Sequence, residues 1–187
     1  MSGIAQLQLV ERLTRLTAAA SRKPSAVEAH VSGMFDEWRA PLLRYTLSLG
    51  LPVQDGEDIV QEVFLNLFRH LSDGKPQDNL RGWVFRVGHN LALKRRMANG
   101  RTALDDAAEL SVIDPAPNPE EHAAQQKTHQ RLLAVVAALP ERDRNCLILR
   151  AEGLRYREIA EALEMSLGAV AGSLAKSLSR LSETYQR

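Results

Sequence analysis

The chain has 187 residues, 44% of them hydrophobic, and its 24 Lys and Arg stand against 23 Asp and Glu for a formal net charge of +1. Such proportions exclude a chain disordered throughout, and no apolar run approaches the length of a bilayer span. The first residues carry neither the apolar block nor the small-residue cleavage site of a secretory signal, so the cytoplasm is the expected location.

Period-two alternation never persists and the long segments repeat every three or four residues, so the expected fold class is all-α. Residues 1–30 form an N-terminal extension. Within it "GIAQLQLVERLTRL" spaces Ile4, Leu7, Val10, Leu13 and Leu16 as a weak helix or tether, then dissolves into "AAASRKPSA". A stronger helix is expected from about "VSGMFDEWRAPLLRYTLSLG", with Phe35, Trp38, Leu42 and Tyr45 on one stripe and Gly50 as its stop. The next, "LPVQDGEDIVQEVFLNLFRHL", opens on Asp55, Glu57 and Asp58, acids that suit the positive end of a helix dipole. Its apolar stripe is Ile59, Val60, Val63, Phe64, Leu67 and Phe68. "SDGKPQDN" reads as an irregular loop, and "LRGWVFRVGHNLALKRRM" as a third helix that "NGR" ends.

Charge is segregated along the chain. From Leu80 to Arg101 every charge is basic: Arg81, Arg86, Lys94, Arg95, Arg96 and Arg101. From Thr102 to Gln126 every charge is acidic: Asp105, Asp106, Glu109, Asp114, Glu120 and Glu121. A basic surface for a polyanion followed by an acidic connector fits that pattern; two solvated faces are the plainer alternative. With "DPAPNPEE" inside it, 102–122 reads as a linker between a domain at 31–101 and a second at 123–187. The second runs through "HQRLLAVVAALP", "ERDRNCLILRAEGL" and "RYREIAEALEMSLGAVAGSLAKSLSRL". Ile159, Ala160, Leu163, Val170 and Leu174 are spaced for two helices crossing at a short turn, a helix-turn-helix. The single cysteine, Cys146, cannot form an internal disulfide and reads as a buried small hydrophobe.

Four words, "GEDIVQEVFLNLFRH", "LRGWVFRVGHNLALKRR", "ALPERDRNCLILRAEGLRYREIAEAL" and "SLGAVAGSLAKSLSRL", resemble the RNA polymerase sigma factors of the sigma-70 family, extracytoplasmic-function class. They stand in the family order and cover nearly everything from about residue 33 onward. The resemblance implies a region 2 helical bundle over 31–101 that binds core RNA polymerase and opens promoter DNA. It also implies a region 4 helix-turn-helix over 123–187 that docks on the upstream promoter element, and a possible anti-sigma partner.

Matched to the family's motifs, Asp58, Gln61, Glu62 and Asn66 are the expected core polymerase contacts, where a carboxylate meeting an arginine gives specificity. The loop from Asp73, with Asn79 and Leu80 at its end, matches the pocket for a flipped base of the minus ten element. Asn90 stands two helical turns after Trp83 and carries both a donor and an acceptor for a base edge. Trp83 is equally well read as core or as a stacking surface. Arg86, Lys94, Arg95 and Arg96 are the expected phosphate contacts.

For the upstream element the expected contacts are Arg155, Arg157, Ser166, Gly168, Ser173, Lys176 and Arg180. The last helix departs from the family here. Ala171 and Ser173 stand where lysine and arginine are usual, and Leu178 and Ser179 where more basic residues are usual. A good bidentate base contact contributes roughly 1 to 3 kcal/mol, so direct readout is expected to be poor, with phosphates and DNA shape carrying what remains. Glu164 occupies a turn position where the family commonly has glycine.

Three other function classes stand beside this one. The histidines, His30, His70, His89, His122 and His129, lack metal-ligand spacing, and no Gly-rich phosphate loop or nucleophile motif occurs. No enzyme, metal or cofactor is therefore expected. A stand-alone helix-turn-helix repressor leaves the first domain unexplained, whereas a sigma-like regulator acting mainly through protein contacts gains from the bare reading helix.

Overall fold

Residues 25–100 and 130–185 are described by the computed structural model, and among them regular structure is helical only. The expected N-terminal tether and the acidic linker at 102–122 lie outside the described residues, apart from the end of the former. Helix α1 (Ala26–Ser48) starts ahead of the position expected from its apolar stripe. The reason is a capping box: the Ser25 hydroxyl accepts from the Glu28 N–H at 3.1 Å, and Glu28 accepts from the Ser25 N–H at 2.6 Å. Those two bonds satisfy donors that the helix start would otherwise leave free, so 26–30 belong to α1 rather than to the extension.

Helix α2 (Val53–Ser72) and helix α3 (Leu80–Ala98) complete a three-helix bundle with α1. Trp38, Leu42 and Tyr45 of α1 meet Val63, Phe64 and Leu67 of α2 and Val84, Phe85 and Ala92 of α3 in one buried cluster. The Phe35 and Phe64 rings pack edge to face at 4.9 Å. Two glycines set how closely the helices approach. A Cβ at Gly56 would lie 2.9 Å from Leu43 Cδ1, and one at Gly88 would lie 2.7 Å from Leu42 Cδ1. A larger residue at either place would require the facing leucine side chain to shift.

The second domain comprises helical residues 130–137, here α4, then α5 (Glu141–Ala151), α6 (Tyr156–Ala162) and α7 (Leu167–Tyr185). Ile159, Val170 and Leu174 are buried as their spacing requires, Ala160 and Leu163 are half-buried, and Ala162 takes the fully buried place between the helices. Cys146 is buried and free, its Sγ 3.7 Å from Met165 Sδ, and burial pushes its thiol pKa up.

In the second domain two left-handed residues end helices by the same arrangement. Gly153 (φ 85°) follows α5, and Glu164 (φ 52°) follows α6. At Glu164 the Met165 N–H reaches the Ala160 carbonyl at 2.9 Å and the Glu164 N–H reaches the Glu161 carbonyl at 3.4 Å, a Schellman closure. Glycine adopts this conformation freely, while glutamate carries a Cβ against the following carbonyl. Glu164→Gly is therefore expected to raise the unfolding free energy by about 0.5 to 1 kcal/mol. Urea denaturation measures it, and an unchanged or lowered midpoint would show no strain at this turn.

Candidate nucleic-acid interface

Helix α3 begins unusually. Asn79 precedes it in the left-handed region (φ 55°) and gives the helix no side-chain cap. Its amide instead reaches the Arg157 carbonyl at 3.4 Å, while Leu80 turns inward and is buried. The loop before it is held by His70, whose Nε2 lies 2.8 Å from the Pro76 carbonyl. The His70 ring also sits 4.7 Å from the Trp83 ring. Trp83 is thus half-buried, with His70 beside it, which places it between the two alternatives left open by its spacing.

Along α3 the 3.6-residue period aligns Trp83, Arg86, Asn90 and Lys94 on one outward side. Asn90 and Lys94 are exposed and Arg86 is half-buried. Arg95 and Arg96 do not join them. Arg95 turns toward α2 and donates to Asp55 at 2.6 Å, with Asp58 at 4.0 Å, and Asn99 donates to the other Asp55 oxygen at 2.9 Å. Arg96, only 15% exposed, turns toward α5 and pairs with Glu141 at 2.8 Å. The basic run that reads as one surface in sequence therefore splits three ways, because consecutive residues point about 100° apart on a helix. Asp55, which reads as a helix-start acid, ties α2 to α3.

On α2 the side opposite the core carries Asp58, Gln61 and Glu62, all exposed, with Asn66 half-buried further along. Leu65 stands among them 50% exposed, an apolar residue that the polar motif match passes over. Beneath α3, the Tyr45 hydroxyl lies 2.8 Å from His89 Nδ1. Burial pushes the tyrosine pKa up and the histidine pKa down, disfavouring the charged form of each.

In the helix-turn-helix, the Ser166 hydroxyl accepts from the Ala169 N–H at 3.2 Å and so caps α7. Arg155, Arg157, Gly168, Lys176 and Arg180 are exposed. Ser173 departs from the expectation: it is 6% exposed and its hydroxyl donates to Asp143 of α5 at 2.6 Å. With Val170, Leu174 and Ser177 it forms the inward stripe of α7, so it cannot meet DNA while the fold is intact. The outward positions are Leu167, Gly168, Ala171, Gly172, Ala175, Lys176, Leu178, Ser179 and Arg180.

Arg81 reads in the sequence only as one cation of the basic run, yet its guanidinium donates to the carbonyl of Glu152 at 3.1 Å and to that of Gly153 at 3.5 Å. Arg44 likewise forms a two-pronged pair with Glu152, at 2.6 Å for the shorter contact. No local signal marks either residue, since both partners lie across the linker.

The described residues thus form a helical bundle and a helix-turn-helix, with cations on the outward side of α3. Among the described residues no group of His, Cys, Asp and Glu is placed to hold a metal ion, and no helix is long and apolar enough to cross a membrane. The chain belongs to the sigma-70 family, extracytoplasmic-function class: the model for Sigma-70 region 2 matches residues 34–102 and that for Sigma-70, region 4 matches 129–185. This is a family of promoter-specific transcription initiation factors that act with RNA polymerase and are not themselves enzymes.

The RNA polymerase sigma factor CnrH of Cupriavidus metallidurans is 28% identical over 144 residues, covering 72% of this chain and 75% of CnrH. The ECF RNA polymerase sigma factor SigE of Mycolicibacterium smegmatis is 34% identical over 119 residues, covering 62% of this chain but only 46% of SigE. The ECF RNA polymerase sigma-E factor of Escherichia coli K12 is 28% identical over 130 residues, 64% of this chain and 68% of that protein. Among solved structures, CnrH in complex with the cytosolic domain of CnrY superposes with a TM-score of 0.55 over 92% of this chain and 94% of that one. At 23% identity that likeness is one of fold.

Proposed function

We propose that this chain docks on core RNA polymerase through α2 and opens promoter DNA with α3, leaving its helix-turn-helix a secondary, weakly reading contact. The observation that carries the reading is the alignment of Trp83, Arg86, Asn90 and Lys94 on one side of α3, beside the loop that ends at Asn79 and Leu80. An aromatic surface, an amide with donor and acceptor, and two cations are what an unstacked base and its flanking phosphates require. Asp58, Gln61, Glu62 and Asn66 serve as the polymerase contacts. Arg155, Arg157, Lys176 and Arg180, with the amides near Ser166 and Gly168, meet phosphates of the upstream element. Arg86, paired with Glu161 at 2.7 Å, contributes to DNA binding only by exchanging its carboxylate partner for a phosphate, as do Arg95 and Arg96. The place of action is the cytoplasm, and a partner comparable to the CnrY domain bound by CnrH is proposed as its regulator.

The reading is tested at Asn90. Asn90→Ala is expected to slow promoter opening about tenfold, as loss of one good base contact does, while affinity for core polymerase stays unchanged. Opening measured by fluorescence of a base analogue in the minus ten element decides it. Unchanged opening would remove Asn90 from the pocket, and no association with core polymerase at low salt would discard the whole assignment.

A second reading has one observation in its favour. The outward side of α7 presents Leu167, Ala171, Gly172, Ala175 and Leu178, which offer a protein surface more than a phosphate backbone. On that reading the second domain contacts protein first and DNA hardly at all.

A further inference from the structure

We infer that His70 is the positioning residue of the minus ten pocket, its Nε2–H fixing the loop that selects a base and its ring fixing the Trp83 face on which that base stacks. The inference rests on the assignment of α3 and the loop before it as the promoter-opening surface. Residues 73–79 carry the chain from α2 to α3, and from 73 to 78 every one is exposed, so no buried apolar side chain anchors the loop before Leu80. Polar contacts hold it instead, and they converge on one residue. The His70 carbonyl accepts from the Lys75 N–H at 3.2 Å, next to the bond from the Gly74 N–H to the Leu71 carbonyl at 3.1 Å that closes α2. The His70 side chain then reaches the Pro76 carbonyl at 2.8 Å; a carbonyl can only accept, so Nε2 carries the hydrogen.

That second bond matters because of what it grips. Proline has its φ preset, so holding its carbonyl also sets the direction in which Gln77 and Asp78 leave. Those two, with Asn79 (φ 55°), bring polar side chains up to the start of α3. The same His70 ring lies 4.7 Å from the Trp83 ring, with 37° between their planes. Trp83 is half-buried, and a second ring packed against it restricts the rotation of the indole. One side chain therefore spans the two halves of the pocket and sets their separation. A base that is to be both hydrogen-bonded and stacked needs that separation fixed before it arrives, since ordering the pocket afterwards costs affinity. His70 touches no base itself; it acts through the loop and through Trp83.

The test uses the full-length chain reconstituted with core RNA polymerase and a promoter library randomised through the minus ten element, from which opened promoters are trapped and sequenced. His70→Phe keeps a ring against Trp83 and removes the N–H, whereas His70→Gln keeps an N–H donor and removes the ring. His70→Phe is expected to lower the base preference at one minus ten position about tenfold, the size of a lost base contact, with the preferences elsewhere in the element kept. His70→Gln is expected to keep that preference and to slow opening about threefold on every promoter, the cost of a stacking face left to order itself. Affinity for core polymerase and the urea midpoint are followed alongside, since a purely structural role would lower preference at all positions together with the midpoint. A His70→Phe protein with the parent's preference at every position, or with a loss spread evenly over all of them, would overturn the inference and leave the proposed function standing. Parent holoenzyme with no base preference anywhere in the element would overturn the proposed function, and the inference with it.

Discussion

Replacing Ser173 by arginine is expected to unfold the carboxy-terminal helices rather than to improve their grip on DNA. The site is 6% exposed and filled, its hydroxyl spent on Asp143 at 2.6 Å, with Ser177 and Leu174 beside it on the face of α7 that meets α5. An arginine there either strains α7 away from α5 or buries a guanidinium that a single carboxylate only partly satisfies, at a cost of about 3 kcal/mol or more. Arginine at Ala171, an exposed position two residues earlier, has no such cost. Ala171→Arg is expected to leave stability within about 0.5 kcal/mol of the parent. It is expected to tighten duplex DNA binding about fivefold by adding a phosphate or base contact. Thermal unfolding followed by circular dichroism and DNA titration by anisotropy separate the two. A Ser173→Arg protein that folds normally and binds DNA better would show that α7 is rotated from the register described above. An Ala171→Arg protein with unchanged DNA affinity would favour the protein-contact reading of the second domain.

The second large effect is expected at Leu65. Exposed apolar residues ringed by polar ones mark the centres of interfaces, and Leu65 lies among Asp58, Gln61, Glu62 and Asn66 on the uncovered side of α2. Leu65→Asp is expected to weaken association with core polymerase by about thirtyfold or more, corresponding to roughly 2 kcal/mol for a residue at the core of an interface. Because the side chain already faces water, the unfolding midpoint should hardly move. Affinity for core polymerase measured at constant salt gives the answer. A wild-type affinity would move the docking surface off this side of α2. Restoration by Leu65→Met would then separate an apolar contact from a charge effect.

The helices themselves were legible because each carries its own local instructions. Apolar residues at three and four spacing, acids at the start of α2, and the loop composition of "SDGKPQDN" act within a few residues, and all are present in the sequence. The same holds for the family words, which fix fold and class through residues close together in the chain. Reading failed where partners are distant. Ser173 looks like a missing base contact until Asp143, on another helix, is brought to 2.6 Å. Arg96 looks like a phosphate ligand until Glu141 arrives from the second domain at 2.8 Å. A side chain's role depends on what faces it, and for these residues the facing group comes from far along the chain.

What the sequence determined alone was therefore the helical content, the order of the domains and the family to which the chain belongs, since short-range periodicity and local motifs encode all three. Only the tertiary structure decided which cations stay available, which face of α7 looks outward, and that Glu161 sits on Arg86. Helix rotation and the packing of one domain on the other settle those matters, and both depend on contacts summed over the whole chain.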